Sequence, residues 1–411
     1  MRIGMILINE RGFPPDIRVA KEAKSLSQGG HKVFILCRAN SINDEGEEFL
    51  DDLGATVVRM HVDDSNFFTK LCYALLLFNI PWENIINIFI DRFKLEALHV
   101  HDLFAVPVVL RTKKHGLHLI ADLHENMPAA MRSYRSSDML FMRFLKSLVW
   151  NYHWMRYRES VCLKKFDRIV TVVPEASERI VNYGINKNKI FEISNTEDES
   201  TFNFELDSVD SGIMSRYKNN WVVSYIGGIG PHRGMDTTLK AVSVVGNKIP
   251  GFKCIVVGAN NERIRRDLEK LCSSLKVSEF VEIIGWVPFN KVNSYVMASN
   301  VCLVPHNNFE HTHTTVPHKL FQYMICKRSV LVSDCAPLKR IVLDSGCGKI
   351  FRANDYLDMA DKLIWMYEHP DELKKMGYLG HKFALGKYSW RHDSQTLNLM
   401  YKELTYKNEI P

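Results

Sequence analysis

The sequence predicts an α/β protein made of two doubly wound domains in tandem, and three observations carry that prediction. The chain has 411 residues, too many for one ordinary core and suited to two domains of roughly 200 residues each. Short runs rich in β-branched residues alternate with amphipathic helical stretches, the pattern of parallel strands joined by crossover helices. The alternation also occurs twice, on either side of a polar stretch.

The first series of strands is read at Arg2–Ile8, His31–Leu36, Ala55–Met60, Ala97–Val100, Leu119–Leu123 and Arg168–Val173. The second is read at Trp221–Ile226, Lys253–Val257, Val281–Ile284, Val301–Val304 and Val330–Val332. Between them Asn195–Lys218 carries Glu197, Asp198, Glu199, Asp207 and Asp210 and loses both periodicities, so the hinge is expected there. The domains are accordingly 1–200 and 201–390, with 391–411 a closing helix that packs back on the first domain. Ligands of such sheets gather at the carboxyl ends of the strands, so two sheets facing across a cleft would bring substrates together there.

Composition narrows the function. Apolar residues at 46% and charged residues at 24% fit a soluble globular chain. Asn9 and Glu10 interrupt the first apolar run before a secretory leader is complete, and Leu71–Ile80 is too short to span a bilayer. The nine cysteines include no C-x-x-C pair, and Cys37, Cys254 and Cys302 fall in strands, the usage of free thiols in the cytoplasm. A net charge of +6 suits an anionic ligand or membrane surface, and no nucleic-acid motif accompanies it.

Two stretches carry the anion chemistry. In Tyr225-Ile-Gly-Gly-Ile-Gly-Pro-His-Arg-Gly234 a strand ends in Gly227 and Gly228 and a helix starts near Asp236. Glycines let backbone approach a phosphate, a helix N-terminus offers free N–H groups, and Arg233 adds a cation. The glycines alone leave an ordinary strand-to-helix turn equally open, and the absence of an acid after Val256-Val257-Gly258 argues against a dinucleotide fingerprint. In the second stretch Thr315, Val316 and Pro317 enter a helix that carries Lys319 and, one turn in, Gln322. The neighbouring His306, His311, His313 and His318 lack cysteine or carboxylate at ligand spacing, so they read as solvated or substrate-facing rather than zinc-binding.

In the first half, His101-Asp102 and Asp122-Leu-His124-Glu125 stand at carboxyl ends of strands, where they line the crevice or simply tie loops together. Met139–Arg158 has apolar residues at helical spacing among basic ones. That face suits either packing on its own domain or peripheral contact with an anionic membrane, with Arg132, Arg135, Lys164 and Lys165 nearby.

These residues resemble the family 4 retaining glycosyltransferases of the GT-B fold, over nearly the whole chain. The resemblance rests on Phe13-Pro-Pro-Asp-Ile-Arg18, Gly29-Gly-His-Lys-Val33, His99-Val-His-Asp102, Asp122-Leu-His-Glu125, Ile226-Gly-Gly-Ile229 through Arg233-Gly234, Gly285-Trp-Val-Pro288, Pro317–Met324 and Tyr388-Ser-Trp390. It implies two Rossmann-like domains and transfer of a sugar from a nucleoside diphosphate sugar, UDP- or GDP-linked, to an acceptor hydroxyl in polysaccharide or glycolipid assembly. Arg233 and Lys319 would meet the diphosphate, Gly285 and Val287 the base, and His124 the transferred sugar. No metal is obligatory, in line with the lack of an Asp-x-Asp motif. The chain departs from the family at Gly228, where a basic residue is common, and at Thr314 and Gln322, where the family has two glutamates separated by seven residues. As a neutral acceptor, Gln322 should hold a ribose less tightly than a carboxylate. A catalytically degenerate partner subunit and a nucleotide-sugar epimerase are the alternatives. The expected partners are a nucleotide sugar and a glycan or lipid-linked acceptor, and the expected location is the cytoplasm, with the inner face of the cytoplasmic membrane as an option within it.

Overall fold

The computed structural model describes the chain except for 9–12, 15, 64–65, 67–68, 70, 73–78, 113–115, 136–149, 199–208, 260 and 407–411. It divides into two compact units, Met1–Ser194 with Asp393–Pro411 and Asn195–His392.

The first unit holds eight strands: β1 Arg2–Leu7, β2 Lys32–Arg38, β3 Gly46–Leu50, β4 Ala55–Met60, β5 Ala97–His101, β6 His118–Leu123, β7 Arg168–Thr171 and β8 Ile190–Glu192. Their order is β3-β4-β2-β1-β5-β6-β7-β8, and every pairing is parallel except β3 with β4. The helices described here are α1 Ile17–Gln28, α2 Ile80–Phe93, α3 Asp102–Val109, α4 Met127–Tyr134, α5 Tyr152–Leu163 and α6 Pro174–Val181. All five residues of β5 are buried, as expected of a central strand covered on both faces. Trp82, Phe89, Leu98, Val106 and Phe166 form part of the core between sheet and helices.

The second unit holds β9 Trp221–Ile226, β10 Phe252–Val257, β11 Val281–Ile284, β12 Val301–Val304, β13 Ser329–Ser333 and β14 Gly348–Phe351. All its pairings are parallel, in the order β11-β10-β9-β12-β13-β14, the doubly wound arrangement whose direction reverses between β9 and β12. Its helices are α7 Ser211–Tyr217, α8 Met235–Val245, α9 Glu262–Ser274, α10 Phe289–Met297, α11 His318–Ile325, α12 Ala336–Ser345, α13 Tyr356–Glu368 and α14 Pro370–Leu385. Tyr225, Leu239, Phe252, Leu303 and Phe351 belong to a separate core. The last helix, α15 Trp390–Tyr406, lies within the first unit from Asp393 onward.

Two sequence readings need correction. The polar stretch Asn195–Lys218 is not irregular throughout, because Asp210 caps α7 by accepting from Gly212 N and Ile213 N. Nor is Met139–Arg158 one helix: Asn151 is extended and caps α5, which runs on to Leu163, whereas 136–149 lie outside the described residues. The strands β3, β8 and β14 carry too little alternation to be read from sequence.

Candidate active site

The second unit's reversal point is built by the strand ends the glycine stretch supplies. After β9, Gly227 adopts φ 129°, a conformation that glycine reaches without strain. A side chain there would begin 2.8 Å from Lys319 Nζ. The next helix starts at Gly234, φ 68°, where a Cβ would lie 1.7 Å from the Pro305 carbonyl oxygen beyond β12. These two glycines let the ends of β9 and β12 close on one small volume. Gly228 leaves that volume open, since a Cβ there would meet nothing within 4 Å.

Two cations border it. Arg233 is half-buried, and its Nη1 donates to His306 Nε2 at 2.9 Å. Lys319, in the first turn of α11, is 8% exposed, and its Nζ has no hydrogen-bond partner among the described residues. That ammonium stands 3.6 Å from the centroid of the Tyr225 ring, whose hydroxyl is anchored on Gly228 O at 2.6 Å. Burial first and Arg233 second push Lys319 well below the usual lysine range. No carboxylate pairs with Arg233 or Lys319 among the described residues. An incoming anion would meet both costs: it would satisfy the ammonium and offset the repulsion between the two cations.

The solvated reading of the histidines does not hold for His306 and His311. His306 and His311 are each 1% exposed and therefore not solvated. They pack edge-on around His232, with ring centroids 6.1 and 4.7 Å away. Burial foremost, then Arg233, holds His232 at about 2 and His311 at about 4, so both are neutral at physiological pH. Because Arg233 can only donate, His306 Nε2 must accept and its ring is neutral as well. These rings orient the guanidinium without adding charge.

The other expected contacts are distributed around this cradle. Gly258 N donates to Ile284 O and Gly285 O at 3.0 and 3.1 Å, so Gly285 continues the carboxyl edge outward to β11, with Val287 two residues further. Thr315 is half-buried. Val316 is fully buried, and its carbonyl accepts from Asn195 Nδ2 at 2.9 Å, so only its N–H remains for a ligand. Gln322 is buried, and its Nε2 donates to Glu197 Oε2 at 2.7 Å.

The first unit gathers an ionic cluster at the ends of β5 and β6. Arg18, buried on α1, holds Asp122 through Nε at 3.1 Å and Nη2 at 2.9 Å, and its Nε lies 3.0 Å from Glu22 Oε1 one turn along. Its Nη1 also donates to Ile193 O and Ser194 O at 3.0 and 3.2 Å. His124 Nε2 stands 3.2 Å from Asp122 Oδ2 and 3.1 Å from His101 Nδ1. Burial opposes a charged His124, but Asp102 and Asp122 outweigh it and raise the imidazole to about 10. His101 is lowered to about 4 chiefly by burial, so a cationic ring donates to a neutral one. Asp102, at φ 64°, is raised to about 6, mainly by burial. Beneath them His99 Nδ1 contacts the Tyr401 hydroxyl of α15 at 2.9 Å. Ligand atoms of Glu22, His99, His101 and Asp122 lie within 4.8 Å of one another. Arg18 already supplies the positive charge to Asp122, and burial and then Asp122 raise Glu22 well above the usual carboxylate range, so these residues do not fit a metal.

Comparisons with known proteins place these features. The profile described as Glycosyltransferase Family 4 matches residues 17–200, and that described as Glycosyl transferases group 1 matches 220–369. The chain belongs to the family 4, group 1 glycosyltransferases. An uncharacterized glycosyltransferase of Methanocaldococcus jannaschii is 22% identical over 181 residues, 44% of this chain and 48% of the relative, so the match spans about half of that protein. Sucrose-phosphate synthase from Thermosynechococcus elongatus superposes with a TM-score of 0.80 at 15% identity, covering 99% of this chain and 100% of that one. The Anabaena HepE protein in complex with UDP-glucose superposes with a TM-score of 0.70 at 10% identity, covering 97% and 99%. At these identities the likeness is one of fold, the GT-B plan of two parallel-sheet domains.

In this glycosyltransferase the structure brings Gly227, Gly228, Arg233 and Lys319 together, with Gln322 on the same helix as Lys319. His124 belongs to the first unit's cluster. Sequence reasoning missed Arg18, Glu22, His232 and Glu197 as members of these clusters. A charged pair at i, i+4 on the buried face of α1 was the available signal for the first two.

Proposed function

We propose that this glycosyltransferase moves a sugar from a UDP- or GDP-sugar to an acceptor hydroxyl with retention of anomeric configuration. The observation that carries the reading is Lys319: a buried ammonium without a hydrogen-bond acceptor, beside a glycine turn and a half-buried arginine, calls for a polyanion. In the reaction the bond from the anomeric carbon to the diphosphate breaks as the acceptor oxygen bonds to that carbon from the same face. The hydroxyl proton passes to the departing diphosphate. Arg233 and Lys319 stabilise the charge that grows on the leaving group, and the N–H groups of Thr315 and Val316 add to it. Gly285 and Val287 are assigned to the base, Gln322 to the ribose and His124 to the transferred sugar. No residue is assigned as a covalent nucleophile, and the chemistry calls for no metal.

The acceptor is assigned to a glycan or lipid-linked precursor in polysaccharide or glycolipid assembly, met at an anionic membrane surface. Support comes from α5 and the two residues after it, where Arg156, Tyr157, Val161, Lys164 and Lys165 are exposed while Glu159, the helix's acidic residue, is buried and paired with Arg179. No helix among the described residues is long and apolar enough to cross a membrane.

The test is incubation with UDP-, GDP- and TDP-sugars and a bacterial lipid extract, following nucleotide release and product anomers. Acceptor-dependent release of nucleoside diphosphate with a retained anomer is the expected result. Isomerised sugar nucleotide would establish epimerisation instead, and failure to bind any donor would leave the degenerate partner subunit.

A further inference from the structure

The amide of Gln322 has an orientation that chemistry determines. A carboxylate only accepts hydrogen bonds, so the atom 2.7 Å from Glu197 Oε2 is the NH2 group, and Gln322 Oε1 faces the other way. That oxygen takes no hydrogen bond among the described residues, and it is not among the buried polar atoms left without one. It is an accessible acceptor on a side chain only 8% exposed. Gln322 follows Lys319 by one helical turn, so the two side chains share a face of α11, offset by roughly 4.5 Å along the axis.

Glu197 is held rigidly for this purpose. Its residue pairs as a parallel bridge with Ser389, its carbonyl accepts from Trp390 N at 3.3 Å, and Asn195 two positions earlier is tied to Val316 O at the entry to α11. Glu197 is 1% exposed, so it does not meet a ligand directly and acts through the amide it polarises. A carboxylate placed directly at position 322 would instead stand one turn from Lys319 and compete with a phosphate for its ammonium.

We propose that Glu197 is a positioning residue that fixes the Gln322 carboxamide as a hydroxyl acceptor, and that the group it receives is a pentose hydroxyl of the bound nucleotide. Negative charge at this subsite is relayed from the segment before the second unit's first strand, leaving Lys319 and Arg233 wholly to the diphosphate. The inference rests on the nucleotide site proposed above and deepens it.

Calorimetric affinities for UDP and GDP and for their 2′,3′-dideoxy forms test it. The wild-type protein should favour the ribose form of its nucleotide by about fivefold to tenfold, the worth of a buried hydroxyl hydrogen bond. Glu197→Ala should reduce that preference to within about twofold while retaining most affinity for the dideoxy form. Gln322→Glu opposes two carboxylates, so its preference should survive at pH 5, where the pair shares a proton, and fade by pH 8. The isosteric double exchange, Glu197→Gln with Gln322→Glu, should restore the preference at both pH values, and it decides the matter if Glu197→Ala fails to fold. An undiminished preference in folded Glu197→Ala, no rescue by the exchange, or no preference in the wild type would overturn the proposal alone. Absence of binding by either natural nucleoside diphosphate would overturn the nucleotide site itself.

Discussion

The two units carry ionisable clusters at the same topological place, the carboxyl edge of a doubly wound sheet, and they are built on opposite principles. In the first, Arg18 meets Asp122 and Glu22, and His124 is flanked by Asp102 and Asp122, so each cation has an acid of its own. In the second, Arg233 and Lys319 stand among neutral histidines without a carboxylate partner among the described residues. A self-neutralised cluster satisfies its own charges, whereas one uncompensated among the described residues is open to the anion proposed above. The same residue types are therefore paired with one another in one sheet and left to the proposed anion in the other.

Substitutions should separate the two roles. The largest effect is expected for Arg18→Ala, which leaves Asp122 buried without its main counter-charge and should cost about 3–5 kcal/mol of stability, read as a lower denaturation midpoint. A midpoint near that of the wild type would mean the first cluster is not structural. Lys319→Met should do the reverse, lowering turnover by about 10²–10³-fold, the usual scale for losing a preorganised charge-stabilising group, with stability unchanged or raised because a desolvated ammonium is removed. Arg233→Ala should lower turnover at least about tenfold, and an unchanged rate would remove it from the cradle.

Proton linkage gives a smaller signal. Burial and then Arg233 hold Lys319 well below its ordinary value of 10.5 and a diphosphate would raise it, so binding should weaken as pH increases. Calorimetric affinities for UDP or GDP measured upward from pH 8, above the phosphate's own titration, should show the fall, and Lys319→Met should remove it. The smallest effect concerns α5 and the two residues after it: replacing Arg156, Lys164 or Lys165 singly with alanine should weaken sedimentation with phosphatidylglycerol vesicles by about 1 kcal/mol each. Vesicle binding that ignores these changes would leave that face without a membrane role.

Much of this was legible in the residues themselves. The bounds of β4, β9, β11 and β12 coincide with the apolar runs, most plainly for β9 and β12, buried parallel strands that are largely apolar on both faces. β3 was not, since Gly46-Glu-Glu-Phe-Leu50 is an edge strand with four exposed residues, and β8 spans only Ile190–Glu192. The glycines and cations of the second cluster announced themselves because Gly227, Arg233 and Lys319 fall in short stretches with local meaning. The first cluster did not, as Arg18 and Asp122 are 104 positions apart, and neither did the Glu197–Gln322 pair of the second unit, 125 apart. No local pattern encodes such pairings. The neutrality of His306 and His311 was hidden for the same reason, as it depends on burial and on Arg233 arriving from another strand end.

The place of α15 bears on how the chain matures. Synthesis proceeds from the amino end, yet the hydroxyl that meets His99 belongs to Tyr401, 302 positions later. The leading half of the polypeptide must therefore wait, with a vacancy in its ionic heart, until the ribosome has delivered nearly everything else. A nascent chain interrupted before Asp393 would carry a finished trailing unit and an unfinished leading one, which gives cellular quality control a ready mark of incompleteness.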